Sequence, residues 1–276
     1  MSKFVRVFAA VAALVLASGC ATTNGDSRDP FEGFNRAMYG FNEGFDEVIG
    51  RPVAGAYKDV IPGPVRTWVR NFFANIGDLF IGANNLLQAK PGDAVNDWAR
   101  FAFNTTFGVL GINDVASDMG LEKHDEDFGQ TFGRWGMGSG AYLVWPFLGS
   151  SSVRDTGGRV LDLYFDPVRR HSSHGQRNSL QLLRATSLRA DLLDASRVLE
   201  EAALDKYVFQ RDFYLQRRRN QVFDGNPPRE GAASRRDEPA AQSPAGAVNP
   251  VPPAGVDASY APRIPRNYDS VMSAAR

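Results

Sequence analysis

Cysteine, histidine and net charge are all scarce in this chain. Its 276 residues include one cysteine and three histidines, and 31 basic side chains balance 31 acidic ones. A single cysteine excludes an intramolecular disulfide, so packing must stabilise the fold. A chain without excess positive charge lacks the electrostatic signature of nucleic-acid binding. After residue 19 no run of about 18 apolar residues occurs, which argues against a membrane-spanning helix.

The one cysteine, Cys20, follows a pattern typical of export. Basic Lys3 and Arg6 precede an uncharged run over residues 7–16, and small residues lead to the cysteine, which predicts a signal peptide over residues 1–19. A cysteine directly after such a cut site resembles the lipobox of bacterial lipoproteins, which implies acyl chains on Cys20. Two chains give stable anchoring. No aspartate follows Cys20, which resembles an outer-membrane address. The alternative is an ordinary secreted protein with an unmodified cysteine.

Composition divides the remaining chain into three parts. Residues 20–28 are short and polar, and we interpret them as a lipidated tether. Residues 29–223 form the body. Residues 224–276 contain nine of the sixteen prolines together with Ala, Gly and Ser. Such a segment buries too little apolar surface to offset its ordering entropy, so we predict a disordered Pro/Ala-rich tail.

The body is predicted to be mostly helical. The clearest helix begins at Pro64, where apolar residues recur with a period of 3.6 as far as Ala83, and ends near Pro91. A second begins at Asp93 and is apolar on nearly every side, as a buried or lipid-exposed helix is. Two more follow, over about 179–203 and from Tyr207 onward. Their many aromatic and arginine side chains fit helices in a headgroup layer, or alternatively an aromatic-rich soluble core.

Signals for chemistry are weak, and we expect no catalytic residues, cofactor or metal. The glycine-rich stretch 133–140 lacks the Gly-Lys-Ser/Thr ending of a phosphate loop. His171 and His174 occupy a polar loop, which seldom binds a metal. His124 lies in an acidic run that we interpret as a solvated turn rather than a general-base site.

Eight sequence blocks resemble the MlaA/VacJ lipoprotein family, in order and at family-like spacing. The first reads DPFEGFNRAMY. The blocks are Asp29–Tyr39, Arg51–Ala54, Arg100–Thr105, Gly108–Gly111, Phe128–Gly133, Pro146–Gly149, Ser151–Asp155 and Tyr207–Tyr214. The resemblance covers residues 29–223 and leaves out the proline-rich tail.

The resemblance implies an all-α body, a ring of amphipathic interfacial helices around a central channel. It further implies a lipid-anchored protein in the inner leaflet of the outer membrane, at its periplasmic face, associated with a trimeric porin. Such proteins remove phospholipid mislocalised in the outer leaflet and pass it to a periplasmic lipid-carrier protein. They break no covalent bond, so the resemblance implies that the protein is not an enzyme.

Three polar residues in the first block are candidates for the lipid path: Asn35, Arg36 and Asn42. An anionic phosphate would be met by arginine or by backbone N–H groups. Alternatively, Asn35 and Asn42 cap helices or turns, and Arg36 forms a salt bridge with Glu32 one turn earlier. For the whole protein, the alternative function is a structural outer-membrane adaptor without its own lipid path. A lipid or cell-wall hydrolase would need a nucleophile or metal set, which the sequence does not offer.

Overall fold

The computed structural model describes residues 26–228, apart from the side chains of residues 197–202. The predicted signal peptide, Cys20 and most of the predicted tail lie outside the described residues. The elements are α1 (Glu32–Phe45), a π-helical turn (Asp46–Gly50), α2 (Arg51–Val60), α3 (Gly63–Leu87), α4 (Pro91–Thr106), α5 (Val115–Asp118), α6 (Phe128–Arg134), β1 (Tyr142–Trp145), β2 (Gly149–Ser152), α7 (Val153–Phe165), α8 (His174–Ala202) and α9 (Lys206–Val222). The predicted helical body is confirmed, with one small β-hairpin in the described part. No described helix is both long and apolar enough to cross a membrane.

Prolines set the boundaries of the first helices. Pro52 lies in the first turn of α2, directly after the π-helical turn. It has no N–H to donate and its ring crowds the carbonyl four residues earlier, which accounts for the wider turn there. α2 stops at Ile61, whose backbone is extended (ψ 122°) as expected before Pro62. α3 then starts with Pro64 in its first turn, where its missing N–H leaves no hydrogen bond unmade.

α3 and α4 form an antiparallel helical hairpin at the two positions where the sequence predicts helices. The turn between them contains Ala89 in the left-handed region (φ 61°). The helices approach closely where the Trp98 indole N–H donates to the Leu79 carbonyl at 3.1 Å. A Cβ on Gly82 would lie 2.6 Å from the Trp98 ring nitrogen, so only glycine fits at this crossing.

The β-hairpin lies between α6 and α7. β1 and β2 pair antiparallel, with Tyr142 opposite Ser152 and Trp145 opposite Gly149. The Ser152 hydroxyl caps α7 by accepting from the backbone N–H of Asp155 at 3.1 Å. α6 and α7 cross at two glycines. A Cβ on Gly158 would lie only 2.2 Å from the backbone nitrogen of Gly129.

The order of packing among these elements closes on itself. α1 packs on β1, β1 on β2, β2 on α7, α7 on α6, α6 on α3, α3 on α8, and α8 on α2, which continues through the π-helical turn into α1. α9 packs on α6 and β2. A closed sequence of neighbours is the arrangement that a ring requires. The central channel stays a prediction.

Contacts of the body extend past the predicted boundaries 29–223. The carbonyl of Arg28 accepts from the N–H of Tyr142 at 2.9 Å. Asp26 lies 3.4 Å from the Arg211 guanidinium, and on the other side Asp224 lies 3.7 Å from Arg134. Residues 26–28 therefore pack as part of the body because their charges find partners on it.

Candidate lipid-facing surface

The outside of the described structure is rich in large apolar side chains. Of the aromatic ones, four are more than half exposed: Phe107, Trp135, Phe147 and Tyr164. Val, Leu and Met residues on several helices and loops are exposed to the same degree. Scattered exposed apolar residues are ordinary, but an exterior with so many is a liability in water and favourable against lipid.

The inside is correspondingly polar. Among the largest fully buried side chains, only Val144 lacks a polar atom. The polar ones include Asp29, Asn35, Asp78, Asn84, Asn85, Asp97, Arg100 and Gln130. Because buried polar groups must find hydrogen-bond partners, this interior is held by networks rather than by a continuous apolar core.

The Arg100 network clamps the segment after α4 onto the α3–α4 hairpin. The Arg100 guanidinium donates to both oxygens of Asp114, at 2.9 and 3.0 Å, and to the Leu121 carbonyl at 2.6 Å. On its other side the Arg100 Nε lies 3.6 Å from Asp78, and Lys123 pairs with the same carboxylate. Burial raises the pKa of Asp78, although both cations oppose that shift. The charges of Arg100, Asp78 and Asp114 are thus paired with one another, and the surface of this region is left to apolar residues.

The loop between α4 and α5 turns apolar side chains outward. Phe107, Val109 and Leu110 are each more than 60% exposed. Val109 and Leu110 both lie in the left-handed region, at φ 56° and 58°, followed by Gly111 at 84°. A β-branched residue there is strained and persists only where its surroundings enforce it. Here backbone hydrogen bonds hold the loop to the end of α4: the Leu110 N–H donates to the Thr105 carbonyl at 3.0 Å and the Gly111 N–H to the Asn104 carbonyl at 2.8 Å.

Asn42 stabilises the turn at the tip of the β-hairpin, where a second group of apolar side chains is exposed. Its amide donates to the Trp145 carbonyl at 2.9 Å and accepts from the Phe147 N–H at 2.7 Å. Phe147 has φ 62° and a ring that is 67% exposed. That ring meets Phe41 and Phe45 edge-on, with centroids 5.2 and 5.0 Å apart. Asn42 therefore stabilises a turn, as one of our alternatives for it proposes, and the turn presents an aromatic cluster.

Asn35 is fully buried and ties α1 to β1. Its amide donates to Asp29 at 2.7 Å and to the Tyr142 carbonyl at 3.0 Å, and it accepts from the Val144 N–H at 2.8 Å. Each polar atom of the side chain is used. Asn35 lies inside α1 rather than at its end, so it is no helix cap. Its contacts are structural, and a role in a lipid path stays a prediction.

Arg36 lines an open cavity. It pairs with Glu32 at 2.7 Å, as the alternative interpretation expects, and also with Asp205 at 2.8 Å. Its guanidinium lies 4.5 Å over the Tyr207 ring. Hydrogen bonds to Asp205 and then to Glu32 raise the pKa of Arg36, so it stays charged. The open cavity beside it has a volume of about 420 Å³ and is lined also by Tyr39, Leu204 and Lys206.

The three candidates thus share α1 but not one site. Asn35 and Asn42 face the β-hairpin, whereas Arg36 faces α9.

The sequence analysis did not predict the buried polar network on α3, although a signal was present: Asn71, Asn75, Asp78 and Asn85 recur at helical spacing. Three of these four residues, Asn75, Asp78 and Asn85, are buried.

The chemistry signals have structural explanations. His124 is no solvated turn residue, since its Nδ1 lies 2.9 Å from the fully buried Asp97. The acidic run folds back onto α4, where His124 meets one oxygen of this carboxylate and Asn85 donates to the other at 2.7 Å. The stretch 133–140 is a bend, with Gly136 at φ 95° and Gly140 at 67°. Within residues 26–228 no group of three or more potential metal ligands converges.

A helical body with an apolar exterior and an ion-paired polar interior is the arrangement expected of a protein that lies against lipid. The particular family is shown by comparison. The family model described as MlaA lipoprotein matches residues 27–221, and the chain belongs to this family.

Two relatives and one solved structure give the extent of the likeness. The "Intermembrane phospholipid transport system lipoprotein MlaA" of Escherichia coli K12 is 36% identical over 219 residues, covering 77% of this chain and 86% of the relative. The Haemophilus influenzae protein of that name is 28% identical over 232 residues, covering 81% and 92%. A structure solved for the "structural basis for maintenance of bacterial outer membrane lipid asymmetry" is 33% identical, with TM-score 0.63, covering 72% of this chain and 99% of that one.

Proposed function

We propose that this protein removes mislocalised phospholipid from the outer leaflet of the outer membrane and passes it toward the periplasm. The relatives are named for intermembrane phospholipid transport, and the likeness extends over most of both chains. The protein acts as a conduit and not as an enzyme. It needs no covalent step, because moving a lipid between leaflets requires a path for the headgroup and contact for the acyl chains.

The inverted polarity of the body is the observation that carries this proposal. An apolar exterior on which Phe107, Leu110 and Phe147 are each more than 60% exposed matches a bilayer interior. The closed order of packing among the helices supports a ring through which a lipid could pass. Lipid anchoring at Cys20 would hold the body at the inner leaflet of the outer membrane, facing the periplasm. A trimeric porin and a soluble lipid-carrier protein are the partners that this arrangement calls for.

A complementation experiment tests the proposal. A Gram-negative strain lacking its own family member should accumulate outer-leaflet phosphatidylethanolamine, measured with a membrane-impermeant amine-reactive dye, and should become sensitive to detergent. The full chain should reverse both. Leu110→Glu replaces one non-glycine residue by another, so the left-handed backbone at position 110 is no more strained than before. The variant places a charge in lipid and should therefore correct neither the lipid accumulation nor the detergent sensitivity. Asn226→Glu adds the same charge at an exposed polar position and serves as the matched control.

Full activity of Leu110→Glu would contradict a lipid-facing role for this loop. The adaptor alternative is separated by a second measurement, with the purified chain in proteoliposomes and a soluble lipid-carrier protein as acceptor. A conduit should accelerate phospholipid transfer to the acceptor. An adaptor would restore the barrier in cells without accelerating transfer.

A further inference from the structure

The corner between α7 and α8 carries a concentration of positive charge that nothing so far uses. Residues 167–178 contain three arginines, two histidines and no acidic residue. Arg169 and Arg170 are exposed and Arg177 is half-buried. In the described part of the chain, no acidic side chain pairs with any of the three. This contrasts with arginines such as Arg100 and Arg218, which are buried in ion pairs.

The acidic group nearest in sequence is already engaged. One oxygen of Asp166 lies 3.2 Å from the Arg184 guanidinium, and the other accepts from the N–H of Val168 at 3.0 Å. Asp166 therefore shapes the corner rather than neutralising it. Val168 is only 5% exposed and anchors the turn to the body, so the arginines project from an ordered platform.

An amphipathic shoulder adjoins the basic corner. Tyr164 is 59% exposed, and the Arg170 guanidinium lies 4.9 Å over its ring. Val160, one turn earlier on α7, is 61% exposed, and Phe165 is 41% exposed. Tyrosine beside arginine, next to exposed aliphatic and aromatic groups, is the composition found where a protein meets the boundary between headgroups and acyl chains.

We propose that the α7–α8 corner binds the phosphate groups of anionic phospholipids at the membrane surface. Arg169, Arg170 and Arg177 supply the charge, and their planar guanidinium groups match phosphate oxygens in pairs. Tyr164 and Val160 mark the depth at which the protein meets the acyl region. An acidic protein surface would satisfy the arginines equally well, but it would leave the exposed apolar shoulder without a counterpart. The proposal depends on the membrane location proposed above, and not on lipid transport.

Vesicle binding tests the proposal on residues 20–276 carrying Cys20→Ser, so that neither the apolar predicted signal peptide nor acylation of Cys20 dominates the result. Co-sedimentation is measured with vesicles of pure phosphatidylcholine and of phosphatidylcholine with 30% phosphatidylglycerol. The test variant is R169Q/R170Q/R177Q. The control R28Q/K58Q/R70Q removes the same number of positive charges elsewhere on the surface. Thermal unfolding confirms that all the proteins are folded, and R169K/R170K/R177K tests whether charge suffices.

Binding to the anionic vesicles should be tighter than to the neutral ones and should weaken with salt. Loss of three arginines at the surface should weaken anionic binding by roughly 100-fold, about fivefold for each charge, while the control changes far less. The lysine variant should keep most of the binding. Inorganic phosphate should compete no better than sodium chloride of equal ionic strength, which separates a lipid surface from free phosphate.

Equal binding by the test and control variants would overturn the proposal and would leave an acidic protein face as the occupant. Equal binding to both vesicle types would overturn it as well. This experiment measures vesicle binding and not lipid transfer. A protein that binds anionic vesicles normally but does not transfer lipid in the proteoliposome assay would therefore count against the proposed function and not against the phosphate-binding corner.

Discussion

Replacing Asn35 by alanine should destabilise the body, because this side chain joins α1 to the β-hairpin from a fully buried position. The substitution removes three hydrogen bonds at once, those to Asp29, to the Tyr142 carbonyl and from the Val144 N–H. No water reaches the site to replace them, since Asn35 is 0% exposed. The effect should therefore be larger than that of an ordinary surface asparagine.

The expected magnitude follows from the groups left behind. A buried polar group without a partner costs about 1–3 kcal/mol. The Val144 N–H and the Tyr142 carbonyl carry most of this loss, because Asp29 keeps its contacts with Tyr207 and Arg211. The total of about 2–6 kcal/mol for these two groups is a large share of the roughly 5–15 kcal/mol by which proteins are stable. For a body of this size it corresponds to a lowering of the melting temperature by roughly 4–24 °C, at about 2–4 °C for each kcal/mol.

Thermal unfolding of the purified full chain, followed by circular dichroism in mild detergent, measures this effect. Asn178→Ala, at an exposed position with the same side-chain change, should shift the melting temperature by no more than about 2 °C. A melting temperature of Asn35→Ala equal to that of this control would refute the structural interpretation. If phospholipid transfer were lost at the same time, Asn35 would belong to the lipid path, as the sequence suggested.

Four further outcomes are expected. Asn42→Ala should lower the free energy of unfolding by only about 1–2 kcal/mol. It should also reduce membrane association, measured by vesicle flotation, because the turn that presents Phe147 loses two hydrogen bonds. Unchanged flotation would show that the tip of the β-hairpin does not contact lipid. Arg36→Gln and Arg36→Glu should both lower the melting temperature, because each removes two ion pairs. If the lipid phosphate passes the adjoining cavity, the glutamate variant should also slow phospholipid transfer. Normal transfer by both variants would exclude Arg36 from the lipid path. Burial raises the pKa of Asp155, but its arginine and tyrosine partners outweigh burial and hold that pKa below its usual value of about 3.9. Its contribution to stability is thus present above that value and lost as pH falls through the lowered pKa, so Asp155→Asn should destabilise at pH 7, and its difference from the parent in thermal melts should shrink as the pH is lowered below about 3.9. Cys20 should carry acyl chains detectable by intact mass in membrane extracts, and an unmodified thiol there would contradict the predicted anchoring.

Helix positions were the most predictable part of this structure, because they depend on local chemistry. Pro62, Pro64 and Pro91 restrict the backbone where they stand, and they delimit α3 and α4 close to the expected places. The apolar spacing along α3 also gave the helical period correctly. The side of that helix that faces inward was not predictable from the period, because an apolar side turns inward in water and outward against lipid.

The contacts of the candidate residues depended on chain segments far apart in sequence. Asn35 meets residues 107 and 109 positions later, and Arg36 meets Asp205 after 169 positions. No local pattern specifies such pairs. The order of the motifs was enough to identify the family, but it could not show that two of the three polar residues on α1 serve the β-hairpin.

By itself, the sequence determined the family, the helical class and the helix boundaries, since motif order, 3.6-residue periodicity and proline stereochemistry are local properties. The inward position of Asp78, Asp97 and Arg100 on α3 and α4, and the outward position of Phe107, Leu110 and Phe147, became known only from the folded structure. The physical reason is that burial depends on the surrounding medium and on distant partners. A buried arginine such as Arg100 is tolerable only where folding brings Asp78 and Asp114 to it.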